Sequence, residues 1–397
     1  MPDGPLSGVR VVDLTRILAG PICTMNLGDM GAEILKVERP GRGDDTRGWG
    51  PPFVEEEAAY FLGINRNKRS MTLNLKDPRG REILSKLITN ADVLIENFKV
   101  GTLDSWGFTK HWIEKETPKL IHCSITGYGK KGPKGGMPGY DFLLQAESGL
   151  MSITGGKDGG PTKLGVAIVD VCTGQYAAMT ILAALHARNN TKKGQRIDLS
   201  LYNTSLSMLI NVASNYLVGN LQPERYGNGH PNIVPYSDFQ CNDGFIAIAV
   251  GNDNQFARFA ECLGNPEWAE NDLYRTNSDR VINRDDIEQK ITSVLLTKSV
   301  KTWLVLFEAH GIPCSKINSV SEALESKQAN VNKMVLAQDH PTVGKFRTLG
   351  IPYSFSQTPA KMSLAPPLLG ADTDDILTKI IGLETKEIKK LRNDGVL

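Results

Sequence analysis

The sequence predicts an α/β fold with a parallel sheet and a second, smaller α+β domain, and three observations carry that reading. Strand-like and helix-like segments alternate over residues 9–201; a polar, turn-rich stretch over 219–232 interrupts them; beyond it a hairpin signal is followed by helical periodicity to His310. Alternating strands and helices build a sheet covered on both faces by its crossover helices, and ligands then gather beyond the carboxyl ends of the strands.

Residues 9–14 read as the first strand, Gly20-Pro21 opens a helix that stops at Gly31, and 33–38 read as the next strand. Proline just inside a helix start gives up only an N–H that is orphaned there, and glycine tolerates the left-handed conformation that ends the helix. This βαβ unit puts Arg16, Ile17, Leu18 and Ala19 at a binding edge. Further strands are expected over 71–75, 93–95, 120–125 and 196–201, with helices over 78–89, after Asp170 and toward Val218. Segments 236–240 and 245–250 flank Asp243-Gly244, whose residues suit the positive φ angles of a tight hairpin. Residues 341–353 read as strand again, and 372–394 as two amphipathic helices separated near Gly382. The domain boundaries expected are 1–220, 221–331 and 332–397.

Composition narrows the function. An apolar content of 40% over 397 residues is enough for a sizeable core, and a net charge of +1 argues against nucleic acid or an anionic membrane as a bulk partner. Any cationic site must be local. The six cysteines are scattered with no CxxC pair, which suggests reduced thiols rather than a zinc site or a disulfide framework. No apolar run is read as reaching the roughly 18 residues of a membrane span, and no signal-peptide pattern opens the chain. The expectation is a soluble, intracellular protein.

The stretch Glu38-Arg39-Pro40-Gly41-Arg42-Gly43-Asp44-Asp45-Thr46-Arg47 follows a strand end and packs three arginines among glycine and proline. Such a loop suits a phosphate ligand, since guanidinium offers several planar donors and glycine lets the backbone approach; the alternative is a solvated loop with internal Arg–Asp pairs. Arg66, Lys68 and Arg69 form a second basic cluster that could help hold a polyphosphate. The phosphate-binding patterns G-x-x-x-x-G-K-[ST] and G-x-G-x-x-G are missing, as are G-x-S-x-G and H-E-x-x-H, so generic NAD, ATP, serine-hydrolase and metal readings lack an anchor. Glycine-rich segments at 127–141 and 227–232 are candidate mobile loops, the second, with Gly229 and His230, a candidate lid.

Gly165-Val166-Ala167-Ile168-Val169-Asp170 ends an apolar run on a carboxylate where a long apolar helix begins. Two readings stand. Asp170 is either the helix N-cap, or a carboxylate nucleophile kept ionised by the helix dipole and poor solvation.

The chain resembles the class III (CaiB/BaiF-type) CoA-transferases nearly end to end. The resemblance is carried by Asp13-Leu14-Thr15-Arg16 with Ala19-Gly20-Pro21, Lys36-Val37-Glu38-Arg39, Asn67-Lys68-Arg69-Ser70, Glu96-Asn97-Phe98, Ser124-Ile125-Thr126-Gly127-Tyr128-Gly129, Gly139-Tyr140-Asp141 and the segment from Pro366 through Leu368-Leu369-Gly370. Within the family it is most similar to the branch working on succinate and glutarate, through Asp44-Asp45-Thr46-Arg47, Trp49-Gly50-Pro51-Pro52-Phe53 and residues 230–236. The resemblance implies Asp170 as nucleophile and Ile17, Ala19, Arg39, Leu73, Asn97, Phe98 and Tyr140 as CoA contacts. It also implies two interlocked ring-like protomers, a homodimer, each with a Rossmann-like large domain built from both chain ends. The reaction implied moves CoA from an acyl-CoA, succinyl-CoA by this branch, to a carboxylic acid such as glutarate, through an aspartyl anhydride and an aspartyl thioester. CoA is then substrate and product, with no resident cofactor and no metal. The mitochondrial matrix is the compartment the resemblance favours, the cytoplasm the alternative.

Arg16 and Arg47 are candidates for the acceptor's distal carboxylate, and Trp49 for shielding the intermediate from water. Where family members carry an arginine that contacts phosphate this chain has Ser105, leaving Arg42 and Lys68 as candidate replacements. The rival activity is an α-methylacyl-CoA racemase, which needs a histidine where Tyr140 stands, and a phenol is a poor base at neutral pH. A non-catalytic acyl-CoA binder is the rival of a different class.

Overall fold

A computed structural model describes residues 4–397, and the chain falls into two compact units. The first comprises the chain through Ser148, Gly165–Met208 and Lys327–Leu397; the second comprises Gly149–Leu164 and Leu209–Ser326. These breaks lie at 208/209 and 326/327, where the sequence reading put them at 220/221 and 331/332.

The strands in chain order are β1 (Arg10–Asp13), β2 (Glu33–Glu38), β3 (Phe53–Val54), β4 (Glu57–Ala58), β5 (Lys68–Thr72), β6 (Val93–Glu96), β7 (Ile121–Thr126), β8 (Gln195–Ser200), β9 (Tyr236–Gln240), β10 (Phe245–Ala249), β11 (Cys314–Lys316), β12 (Val335–His340) and β13 (Gly344–Leu349). The first unit is built on a six-stranded sheet in the order β5-β2-β1-β6-β7-β8, every neighbouring pair parallel. Strand order runs outward in one direction from β1 and in the other from β6. Their carboxyl ends therefore frame a topological switch point, where crossover connections part and leave a crevice.

Local sequence explains the elements that were read correctly. The Pro78–Thr89 helix starts on Asp77, whose carboxylate accepts from Arg79 N, with Pro78 in the first turn. Ile83, Leu84, Leu87 and Ile88 fall on one face of it and join a core with Val12, Leu35, Leu94 and the returning residues Ile376, Leu377, Ile388 and Leu391. The expected strand over 71–75 forms instead over Lys68–Thr72. The shift is physical: Lys68, whose side chain is fully buried, and Arg69 look like surface residues in sequence, yet acidic groups from other elements hold both inside the strand.

The second unit carries the expected hairpin, β9 antiparallel to β10, with β11 on the other side of β10. Its core gathers Phe256, Phe259, Trp303 and Phe307 around that sheet. Buried Arg280 lies over the Phe256 ring and donates to Val234 O and Tyr274 O.

The Ile168–Thr191 helix departs from expectation in two ways. It is long and apolar enough to meet the composition of a membrane span, against the expectation that no apolar run reaches that length. It also contains Asp170, and it packs through Val169, Thr173, Gly174, Ala177, Ala178 and Ile181 inside the first unit. Gly174 sets the approach to the Ala19–Asp29 helix: a Cβ there would stand 2.5 Å from Ala19 O. Residues four apart share a helix face, so this contact also turns Asp170 toward Ala19. Gly174→Ala is expected to lower stability by about 1–3 kcal/mol, as overpacking does, and to reduce activity with it. Chemical denaturation beside an activity assay checks this.

Candidate active site

The crevice at the switch point is built by the loop after β1 and the residues after β6. The Asn97 side chain clamps the two together: Arg16 N donates to Asn97 Oδ1 at 3.1 Å, and Asn97 Nδ2 donates to Arg16 O at 2.8 Å. The next residue, Ile17, has φ of +71°, a left-handed conformation that a β-branched residue rarely adopts. Its N–H donates to Asp44 Oδ1 at 3.2 Å.

Asp44 is the anchor of that loop. Its carboxylate also accepts from Thr46 N, Thr46 Oγ1 and, at 2.8 Å, Lys36 Nζ, which in turn donates to Thr15 O. Neither charged side chain of this ion pair has any exposure. Burial opposes ionisation of Asp44, but the Lys36 ammonium and the donated hydrogen bonds outweigh it and hold the carboxyl down at about 2.

Two cavities open on this crevice. The larger, about 680 Å³, is lined by Arg39, Leu73, Lys76, Phe98, Thr102 and Trp106 among others. The smaller, about 200 Å³, is lined by Ile17, Ala19, Asn97, Phe98, Tyr140 and Asp170. Arg16 and Phe98 line both, so the two share a border. No side chain caps the Ala19–Asp29 helix at its start beside the smaller cavity, and the first-turn N–H groups of a helix have no internal acceptor.

The structure thus brings together Arg16, Ile17, Ala19, Arg39, Leu73, Asn97, Phe98, Tyr140 and Asp170. Arg47 it places elsewhere. Its guanidinium makes two hydrogen bonds of 2.8 Å to Glu38 and lies 3.7 Å from the centre of the Phe61 ring, so its charge is already matched. Trp49 is half exposed and meets Tyr60 edge to face at 5.3 Å. Gly229 and His230 belong to the second unit, where Arg284 donates to His230 O; burial first, then the Arg284 charge, hold that imidazole below its ordinary value. The second basic cluster is structural, not a phosphate site: Arg66 pairs with buried Asp29, Lys68 is buried beside Asp13, and Arg69 pairs with Glu33 and Asp375. Lys68 therefore cannot replace the arginine absent at Ser105, whose own hydroxyl donates to Thr102 O. Lys76, which the sequence reading passed over, lines the larger cavity.

Asp170 is the third residue of its helix and not the cap. Asp141 caps it from another element, Oδ1 accepting from Val169 N at 2.7 Å and from Asp170 N at 3.3 Å. The expectation that the helix dipole keeps Asp170 readily ionised is also corrected: burial first, then the Asp141 charge, raise its carboxyl to about 7. Tyr60, another residue sequence reading missed, has its phenol raised by burial and by the carboxylates of Asp170, Asp141 and Asp44.

A doubly wound sheet with a part-buried carboxylate at its switch point and a cavity of about 680 Å³ beside it is the arrangement of an α/β enzyme acting on a small molecule. Comparison with known proteins narrows that class. Residues 6–373 match the profile of CoA-transferase family III. The chain is 45% identical over 393 residues to the succinyl-CoA:glutarate CoA-transferase of Mus musculus, covering 99% of this chain and 90% of that one. It is 41% identical to the succinate–glutarate CoA-transferase of Agrobacterium fabrum, over 96% of each chain. Among solved structures, a CaiB/BaiF family protein from Brucella suis superposes with a TM-score of 0.83 at 40% identity, over 95% of this chain and 99% of that one. The chain belongs to CoA-transferase family III, and it is a CoA-transferase.

Proposed function

We propose that the enzyme moves CoA from succinyl-CoA to a short dicarboxylate, glutarate first among them, with Asp170 as nucleophile. One observation carries the mechanism: Asp170 lines the inner cavity, which shares Arg16 and Phe98 with a larger one of about 680 Å³. The names of the relatives at 41–45% identity support the donor and acceptor.

In the first step a carboxylate oxygen of Asp170 attacks the thioester carbonyl. The C–S bond breaks and CoA leaves as thiolate, giving a mixed anhydride. The thiolate then attacks the aspartyl carbonyl; the C–O bond breaks and succinate leaves as carboxylate, giving an aspartyl thioester. Glutarate enters, and the same two steps run in reverse to release glutaryl-CoA and the free Asp170 carboxylate. Each tetrahedral oxyanion needs fixed N–H donors, which the uncapped start of the Ala19–Asp29 helix supplies. Exposed Arg39 and Lys76 in the larger cavity meet the CoA phosphates, and Arg16, ion-paired to Asp45 yet 40% exposed, meets the acceptor's far carboxylate. Trp49 and Tyr60 shield the anhydride from water.

The enzyme works as a homodimer, in the matrix compartment the family resemblance implies. Support for a second copy comes from the Ile210–Gly219 helix, whose Ile210, Leu217 and Val218 are 72%, 75% and 84% exposed, an apolar face without cover in the single chain.

The test is covalent trapping. Incubation with succinyl-CoA followed by hydroxylamine or borohydride should modify Asp170, seen by peptide mass spectrometry, and no modification should appear in Asp170→Asn. Glutaryl-CoA should form when glutarate is added. Deuterium wash-in at the α-carbon with no adduct would replace this reading with a racemase.

A further inference from the structure

The nucleophile's helix has no cap of its own. Ala167 stands at the N-cap position and contributes no side-chain bond, so Val169 N and Asp170 N rely on Asp141, 29 residues before Asp170. Asp141 opens the Asp141–Glu147 helix, and its second oxygen accepts from buried Gln145 Nε2 at 2.6 Å. That contact fixes the carboxylate's rotamer. A neutral serine or threonine at position 167 would cap the helix as well. The fold instead brings in a negative charge, and with it a like-charge neighbour for the residue that must attack.

We infer that Asp141 is the positioning residue of Asp170: it fixes the first turn that carries the nucleophile, and its charge drives that nucleophile toward the acylated state. The inference rests on the covalent role proposed for Asp170. Free Asp170 and Asp141 together carry two negative charges in a poorly solvated site; acylation of Asp170, as anhydride or thioester, leaves one. The repulsion is present before the C–O bond forms and absent after it. The covalent intermediates gain relative to the resting enzyme by the amount of that repulsion.

Burial first, and this repulsion second, make the resting carboxylate more basic and raise it to about 7. A more basic oxygen is a stronger nucleophile, though a smaller share of it is ionised below pH 7. Among the described residues, the other titratable groups near Asp170 give it no competing cationic partner in contact. Tyr60 lies on the Ala59–Ile64 helix with its phenol raised, and Cys172, on Asp170's own helix, has its thiol raised by burial and by Asp141. Arg16 and Lys99 line the same cavity, and the Arg16 guanidinium is bound to Asp45.

The test begins with wild-type enzyme and no substrate. In protein labelled with ¹³C at aspartate carboxyls, the resonance lost in Asp170→Asn should titrate near 7; a midpoint near 4 overturns the inference without any further variant. In Asp141→Asn, which keeps an acceptor oxygen and loses the charge, that midpoint should fall by about one unit or more, and the acid limb of kcat/KM should move down with it. At pH 8 and above, the ratio of trapped CoA thioester to free enzyme at fixed succinyl-CoA and succinate should fall about tenfold for each unit. Asp141→Glu should restore both midpoint and trapped fraction. A loss of activity that is equal at every pH, with the midpoint unmoved, would reduce Asp141 to a structural cap and overturn the inference. Because the titration is read without substrate, it stands or falls apart from the trapping that tests the covalent reading.

Discussion

Asp170→Asn should lower kcat for CoA transfer by about four orders of magnitude or more and, at pH 8, make the protein more stable. The first effect follows from losing the carboxylate proposed as nucleophile. The second follows from linkage. The folded state holds the Asp170 proton up to about 7, against an ordinary 3.8, so it binds that proton more tightly than the unfolded chain does. The stability so gained is complete below about pH 4 and is lost as pH rises through about 7. Above that the wild-type protein carries an ionised carboxylate beside Asp141, and asparagine removes that cost. The gap in melting temperature between variant and wild type should therefore be wider at pH 8 than at pH 5. A gap of the same size at both pH values would show that Asp170 is not held protonated by its surroundings.

Asp44→Ala should be the most destabilising single change at the site, costing about 3–5 kcal/mol, because it leaves the Lys36 ammonium charged, fully buried and without its carboxylate. It also releases the N–H groups of Ile17 and Thr46. With the loop no longer pinned, Ile17 should relax from its left-handed conformation and KM for the acyl-CoA should rise. Lys36→Met with Asp44→Leu should recover much of the stability but not the KM, since the Ile17 N–H still lacks its acceptor. Denaturant titration and steady-state kinetics on the three variants separate these effects. In the wild-type protein the Asp44 carboxyl sits lower when folded than its ordinary 3.8, so its contribution is present above about pH 4 and is lost as pH falls toward 2.

What could be read beforehand was whatever local chemistry decides. Pro78 and Asp77 mark a helix start in any context, and the Asp243-Gly244 turn marks its hairpin. The residues that meet at the switch point were also within reach, because βαβ connectivity alone puts Arg16 to Ala19 there. The failures share one cause: each depends on a contact that only the folded chain makes. Asp170 looked like a cap because Asp141, which does the capping, is remote. Arg47 and Lys68 looked like free cations because Glu38, Asp13 and Asn65 reach them only once the sheet has formed. Burying those charges is also why β5 was misplaced.

The returning segment has a consequence for how the protein is made. Asn67 on the edge of the sheet receives the chain from some 300 residues later: Asn67 N donates to Leu364 O, and Asn67 Oδ1 accepts from Ser363 N and Leu364 N. Farther along, Asn74 N donates to Val396 O, and Gly395 lines the larger cavity. A nascent chain emerging from the ribosome can assemble its sheet early, yet the wall of the larger cavity waits for residues some 300 positions farther on. Contacts closed over so long a loop form late and slowly. Until they form, the backbone groups along that edge strand are open to pairing with other chains.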